Sequence, residues 1–236
     1  MNKFLALITT LSILILNSSW ADFGRYECFT PYVGITGGID YLSGDYTALR
    51  TDGSGDTHSA TAGKTEGLIG GVVGIQKTFC NNVYAAVQVN ALYNTANQKI
   101  RTSTNSSGVE NMGVSQKNNF QWGADFRLGY TICNVTPYLL GGFESGHWSL
   151  ILNNNSGSDN RGIAANSIVS LGKTLMGGKV GGGVTFPITC QLSANVEYSY
   201  TWFGSIDRDL TAGGQTWNHS TNVRQGSFLV GLNYSF

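Results

Sequence analysis

The chain is poor in charge: 12% of its 236 residues are Asp, Glu, Lys or Arg, about half the share of an ordinary soluble domain, and the two signs balance at 14 each. No cluster of Lys or Arg forms a basic face that could neutralise phosphates, so no nucleic-acid partner is expected. After residue 21 no apolar run approaches the ~20 residues that a membrane-crossing helix requires. Disorder along the whole chain is excluded too, because 11% aromatics with abundant Val, Ile and Leu can bury ample surface. Glycine, by contrast, is plentiful at 32 residues.

Residues 1–21 read as a cleaved signal peptide. Lys3 gives the positive start, Phe4 to Leu16 is apolar apart from Thr9, Thr10 and Ser12, and Ser19-Trp20-Ala21 places small residues where a signal peptidase reads. The apolar stretch is too short to anchor the chain as a helix, and no cysteine stands at the cleavage site to carry lipid. A short N-terminal segment, 22–31, then leads into a folded domain over 32–236.

That domain is written in period two. From Phe120 to Ile132 the even positions (Phe120, Trp122, Ala124, Phe126, Leu128, Tyr130, Ile132) are apolar, and the odd ones (Gln121, Gly123, Asp125, Arg127, Gly129, Thr131) are polar or glycine. The same split recurs at Val83–Asn94, Gln191–Trp202 and Ser227–Phe236, and in glycine-diluted form at Tyr32–Leu42, Gly67–Phe79, Val135–Trp148 and Leu175–Phe186. That makes eight strands, each long enough to cross a bilayer at a tilt. The links alternate in length. Those over Ser43–Glu66, Thr95–Asn118, Ser149–Thr174 and Gly204–Val223 are long and rich in Ser, Thr, Asn and Gly, whereas Cys80-Asn81-Asn82, Cys133-Asn134 and Pro187–Cys190 are tight turns.

A soluble eight-stranded barrel is apolar inside and polar outside. Here the face rich in Trp, Phe, Tyr and Ile stands opposite one holding Asp40, Gln88, Asp125, Arg127, Glu144, Lys179 and Glu197, charges that can pair in a barrel lumen but not in lipid. The pattern predicts an all-β fold: an eight-stranded antiparallel up-and-down transmembrane β-barrel with four long extracellular loops and three short periplasmic turns.

With its signal peptide, alternating strands, long outer links and aromatic C-terminal strand (Phe228-Leu-Val-Gly-Leu-Asn-Tyr-Ser-Phe236), the chain resembles the small Gram-negative surface barrels of the outer-membrane protein A and X type. The resemblance covers nearly the whole mature chain. It implies an outer-membrane location with both termini periplasmic, and lipid and lipopolysaccharide as neighbours. It also implies that the barrel-assembly machinery reads Tyr234 and Phe236. A non-enzymatic surface role follows from it, through adhesion, host or phage contact, or envelope integrity. A narrow gated channel is one alternative, since a lumenal ion pair acts as a gate in that family; the comparable set here is Arg127 and Lys179 against Glu197, Asp125 or Glu144, with Asp40 a further ion-pair candidate in the same lumen. A static polar core is the plainer account of the same residues, because buried charges must pair whatever the function. The glycines at 177, 178, 181, 182 and 183 either open space or let bulky neighbours pack.

Cysteine placement is more individual. Cys28 precedes the first strand and Cys80, Cys133 and Cys190 lie in the three tight turns, spaced 52, 53 and 57 residues apart. All four are expected on the periplasmic rim, where disulfides form. Three pairings exist, and ring neighbours are favoured over the diagonal. A monomer is expected, with a disulfide-linked oligomer as the alternative. Four thiols without a CxxC pair do not preorganise a zinc site, and no cofactor or metal is expected.

Catalytic motifs are weak. Gly172-Lys173-Thr174 lacks the first glycine of a phosphate-binding loop, which would stand at position 167. His147-Trp148-Ser149 puts an imidazole and a hydroxyl on one face and is similar to the pair in lipid A deacylases, so a lipid-modifying hydrolase is a second alternative. Leu150 and Arg161, however, stand where that family has Asn and Glu, and Trp148 as an interfacial aromatic is the plainer account. Asp52-Gly-Ser-Gly-Asp56 could hold a cation but reads better as a solvated turn. His58, His147 and His219 are far apart in sequence. Trp217 is a candidate partner contact, or packs against Leu210 of its own hairpin.

Overall fold

The computed structural model describes residues 29–51, 56–94, 97–104, 110–155 and 161–236; the predicted signal peptide and Cys28 lie outside the described residues. The strands are β1 (Thr30–Arg50), β2 (Thr57–Thr78), β3 (Val83–Asn94), β4 (Asn97–Thr104), β5 (Glu110–Tyr130), β6 (Thr136–Asn154), β7 (Ser167–Pro187), β8 (Leu192–Ala212) and β9 (Gln215–Ser235). Neighbours in sequence pair antiparallel except β3 and β4, which both pair with β5, and β1 pairs with β9 from Tyr32↔Ser235 to Arg50↔Trp217. The sheet therefore closes. β4 extends the β3–β5 hairpin on the same side of β5, so the ring has the eight staves that the alternation predicts.

Closure leaves side chains two directions to point, and the parity expected from the sequence holds. Ile35, Ile69, Val89, Phe126, Leu128, Leu139, Tyr198, Phe228 and Leu232 face outward as an exposed apolar belt, while Asp40, Gln88, Asp125, Arg127, Lys179 and Glu197 are buried inside. The glycines of β7 permit packing: a Cβ at Gly183 would lie 2.6 Å from the Tyr138 hydroxyl, and one at Gly181 would lie 2.2 Å from the Tyr198 carbonyl oxygen. The three short turns form where expected, with Asn82 and Cys133 at φ 62° and 54°.

The long links differ from expectation. They are mostly strand, because β1, β2, β5, β6, β7, β8 and β9 run about ten residues past the belt as a tall collar. The β8–β9 tip shrinks to Gly213-Gly214, both at positive φ (59° and 74°), the backbone of a two-residue hairpin that glycine adopts without steric cost. An apolar interior holds the collar together: Leu42, Tyr46, Ala48, Val114, Trp148, Leu150, Leu152, Ile163, Leu175, Phe203, Ile206, Trp217 and Val223 form one buried cluster. Trp148 and Phe203 meet edge to face at 5.2 Å. Trp148 is thus an interior residue and not an interfacial one. Trp217, 5% exposed, packs with Leu210 and stacks on His58 at 5.7 Å, so it is unavailable as a surface contact.

Two bulges mark the base of the collar. One extra residue on β5 between Asn118 and Gln121, and one on β8 between Trp202 and Ser205, move the inward parity by one position. Between β7 and β8 the ladder stops at Gly177↔Phe203 although both strands continue; Lys173 Nζ donates across this seam to the Ser205 carbonyl at 2.8 Å.

This cluster plugs the collar, and Trp148→Ala within it should cost about 3–5 kcal/mol, read as a lower urea midpoint of the barrel in detergent. Ile168→Ala, at an exposed collar position, should leave the midpoint nearly unchanged. Equal effects would show that the plug carries no stability.

Candidate functional site: the polar lumen

Below the plug the interior turns polar. Asp125 and Arg127, two residues apart on β5, both point inward. Asp125 Oδ2 accepts from Gln88 Nε2 (3.1 Å) and Asn90 Nδ2 (2.8 Å) on β3, and from Lys179 Nζ (3.2 Å) on β7. Arg127 reaches across the lumen to Glu197 Oε2 on β8 at 2.5 Å, where the Tyr138 hydroxyl also donates at 3.0 Å. The guanidinium lies over the Tyr138 ring, 4.8 Å from its centroid.

The other two carboxylates meet neutral donors. Asp40 accepts from Asn94 Nδ2 (2.5 Å), Gln225 Nε2 (2.7 Å) and Ser227 Oγ (2.7 Å). Glu144 Oε2 accepts from Thr201 Oγ1 at 3.0 Å, while its Oε1 has no hydrogen-bond partner. All six charged residues singled out from the sequence therefore lie in the lumen. They resolve into the pairs Arg127–Glu197 and Lys179–Asp125, with Asp40 and Glu144 apart. The donors Gln225, Ser227, Asn94 and Thr201, and the inward tyrosines Tyr32 and Tyr138, complete the network. Parity along each strand could have found them; their roles needed the register across the ring. A narrow gap remains between the pairs, lined by Gln88, Asn90, Arg127, Lys179, Glu197 and Asn233 among others.

The remaining sequence candidates do not converge. His147 is exposed on β6, with Nδ1 3.4 Å from Thr174 Oγ1, and Ser149 follows on the same outward face. Lys173 and Thr174 lie in a strand, unlike a phosphate-binding loop, which opens a helix. Asp56 pairs with Arg50 at 3.5 Å, and Asp52 is outside the described residues. No group of three or more His, Cys, Asp or Glu residues arranged to hold a metal occurs among the described residues. Cys80, Cys133 and Cys190 are exposed free thiols, so no disulfide joins any two of these three. Tyr234 and Phe236 face outward at the end of β9, their rings edge to face at 5.3 Å.

His219 sits within the plug, in the collar beyond the belt. Nε2 lies 3.0 Å from the Arg161 carbonyl oxygen and Nδ1 lies 2.7 Å from the Tyr46 hydroxyl. A carbonyl only accepts, so Nε2 carries the proton and Nδ1 accepts from Tyr46, which ties the segment after residue 160 to β1 and β9. Burial is the largest influence on the imidazole and lowers its pKa, opposed by the hydrogen bond to Arg161.

An apolar outer belt, a charged lumen and a ring closed by its first and last strands define a transmembrane β-barrel. The chain belongs to the outer membrane protein beta-barrel domain family, whose model matches residues 53–236, and it is an outer-membrane protein. Among solved structures, the outer membrane protein OprG from Pseudomonas aeruginosa is 14% identical, with a TM-score of 0.52 over 90% of this chain and 98% of that one. Neisserial surface protein A is 16% identical (TM-score 0.40; 86% and 97% covered). Ail, the attachment invasion locus protein of Yersinia pestis, solved with the heparin analogue sucrose octasulfate, is 14% identical (TM-score 0.37; 84% and 99%). At these identities the likeness concerns the fold alone. No curated protein matches the sequence.

Two outcomes follow. Arg127→Ala strands the Glu197 carboxylate in the lumen and should cost about 3–5 kcal/mol, whereas Arg127→Met with Glu197→Met should recover most of the loss in the same urea titration. Acid should loosen the plug. With the folded pKa of His219 depressed, its contribution is complete above the ordinary value of about 6.5 and declines as pH falls below it. Tryptophan emission should therefore shift on acidification through that range, and His219→Gln should abolish the shift; an unchanged titration would assign it to another group.

Proposed function

We propose that the protein is a non-enzymatic surface barrel whose collar presents a contact platform for adhesion, host or phage contact, or envelope integrity. The observation that carries this reading is the double closure of the interior. Ion pairs and amides cross the lumen at the level of Asp125 and Arg127, and thirteen apolar residues fill it above. A channel would have to open both levels, and cross-linked carboxylates and a packed apolar core each resist that. The strands meanwhile run well past the apolar belt, so the chain invests its length in a rigid structure projecting from the membrane.

In this reading the collar faces the exterior, and both termini and the cysteine-bearing turns face the periplasm. Lipid and lipopolysaccharide surround the belt, the barrel acts as a monomer, and Tyr234 and Phe236 serve the assembly machinery. In this reading the outward His147–Ser149 pair is not catalytic: the imidazole meets the Thr174 hydroxyl at 3.4 Å, whereas a nucleophile–base pair needs an acid to orient it.

The refolded barrel should be silent in a planar bilayer, with or without reductant; stable openings altered by Arg127→Ala would replace this reading with the gated channel. On cells, a variant whose hairpin tips are shortened should assemble normally yet lose contact-dependent phenotypes such as attachment to host cells or phage sensitivity. His147→Ala should leave lipid A unchanged in the mass spectrum.

A further inference from the structure

The outer face of the collar is not uniform in charge. Beyond the belt, residues 97–104 of β4, 147–154 of β6 and 167–176 of β7 contain no Asp or Glu, and β5 has only Glu110, its first residue. On the other side of the ring, β1 and β8 present Asp45, Asp207 and Asp209 outward, and Arg224 of β9 lies 4.0 Å from Asp45. An anion approaching the β4–β7 sector therefore meets no such carboxylates.

That sector begins at the lipid. Trp122, Ser145 and Met176 stand side by side in register on β5, β6 and β7, and the exposed Trp122 and Met176, with Phe120, form the margin of the belt there. The next outward partners are His147 and Thr174, and the row after them is Lys117, Ser149 and Gly172. At ~3.3 Å per residue these rows lie about 7 and 13 Å along β6 from Ser145, less once the strand tilt is counted, which is the level of the lipid headgroups.

Within these rows hydrogen-bond donors converge. Gly172 has no side chain, and a Cβ there would lie 3.0 Å from His147 Nε2 and 3.8 Å from Ser149 Oγ, so the imidazole and the hydroxyl border one small notch. The Thr174 hydroxyl, 3.4 Å from Nδ1, can donate to it and leave the proton on Nε2. Lys117, partner of Ser149 in register, is exposed and has no ion pair among the described residues. Lys99, exposed on β4, pairs with Ser115, two residues from Lys117, so a second ammonium stands diagonally across the ladder. Cations and donors without a carboxylate suit a phosphate, whose ionised oxygens accept.

We propose that this sector binds the phosphate of a phosphorylated glycolipid in the surrounding leaflet: Lys99 and Lys117 counter its charge, and His147 Nε2 and Ser149 Oγ donate to its oxygens over Gly172. The acyl chains of the same molecule run along Trp122, Phe143 and Met176, so one lipid engages belt and collar together. The choice of a glycolipid rests on the exterior orientation of the collar proposed above. Binding gives the His147–Ser149 pair a role that requires no orienting acid.

The test is native mass spectrometry of the full-length barrel released from non-ionic detergent and titrated with bisphosphorylated lipid A. Removing both phosphates from the lipid should weaken binding roughly tenfold or more, and Lys117→Gln with His147→Ala should weaken binding of the intact lipid to a similar extent without affecting the dephosphorylated one. Arg224→Gln, on the other sector, should change neither. The substituted side chains are all exposed, and circular dichroism verifies the folded barrel. Equal affinity for the two lipids, or a double variant that binds as the wild type does, would overturn the site. Competition by inorganic phosphate at equal concentration, or equal site-dependent binding of phosphatidylglycerol, would replace the glycolipid by a free anion or a phospholipid and overturn the assignment. An epitope placed between Gly213 and Gly214 and stained on intact cells tests the orientation separately. Staining only after lysis would withdraw the glycolipid whatever binds in vitro, whereas staining of intact cells with no phosphate preference would remove the site and leave the surface reading standing.

Discussion

A wall one strand thick with hydrocarbon on its outer side cannot leave a backbone amide or carbonyl unpaired, and that constraint fixes the rest of the molecule. The pairing of β1 with β9 satisfies it by removing both sheet edges. Once the ring is closed, every residue must choose between lipid and lumen, and the period-two pattern is the record of that choice. The exposed Ile, Val, Leu and Phe of the belt would be a defect on a soluble protein; here they are what holds the barrel in the membrane.

The interior is filled in two ways. In the lower part, four carboxylates face two cations, so charge pairing alone cannot satisfy them all, and Asp40 is held by an amide from Asn94, an amide from Gln225 and a hydroxyl from Ser227. In the collar the polar solution gives way to hydrophobic packing. The belt and the lumen are separated only by the thickness of a strand, whereas the collar has water outside and can afford the arrangement of an ordinary soluble core. Polar groups persist within it: His219, with both ring nitrogens engaged, joins three chain segments, and Asn154 donates to the Ile163 and Ala164 carbonyls.

The belt was legible in the sequence because lipid demands apolar side chains on alternate residues without interruption. Asp125, Arg127, Lys179 and Glu197 were legible for the same reason, as charges set in the opposite phase. The collar was not. In water its outer face carries Ser, Thr and Asn that do not differ from those of a loop. The extra residues on β5 and β8 also move the inward phase where the collar begins, so the alternation stops at Phe120 and Trp202 when read as a single pattern. Trp148 and Trp217, taken alone, looked like interfacial or exposed aromatics; only the partners Phe203, His58 and Leu210 show that they are interior. The pairing of Arg127 with Glu197 rather than with Asp125 depended on the geometry across the ring, which no local spacing encodes.

The interrupted ladder between β7 and β8 gives the two halves of the wall different mechanics. Up to Gly177 and Phe203 the barrel is a continuous hoop, its circumference set by eight unbroken ladders. Above that level the described strands form two leaves, β4 to β7 on one side and β8, β9, β1 and β2 on the other, because β2 pairs with β3 only as far as Leu68↔Asn94 and forms no ladder with β4; Lys173 reaches across the β7–β8 seam to Ser205. A hoop resists a change of girth by breaking backbone bonds, whereas separate leaves yield by hinging at their base. Here the apolar residues packed inside the collar oppose that hinging, so girth is held by side chains above and by backbone bonds below.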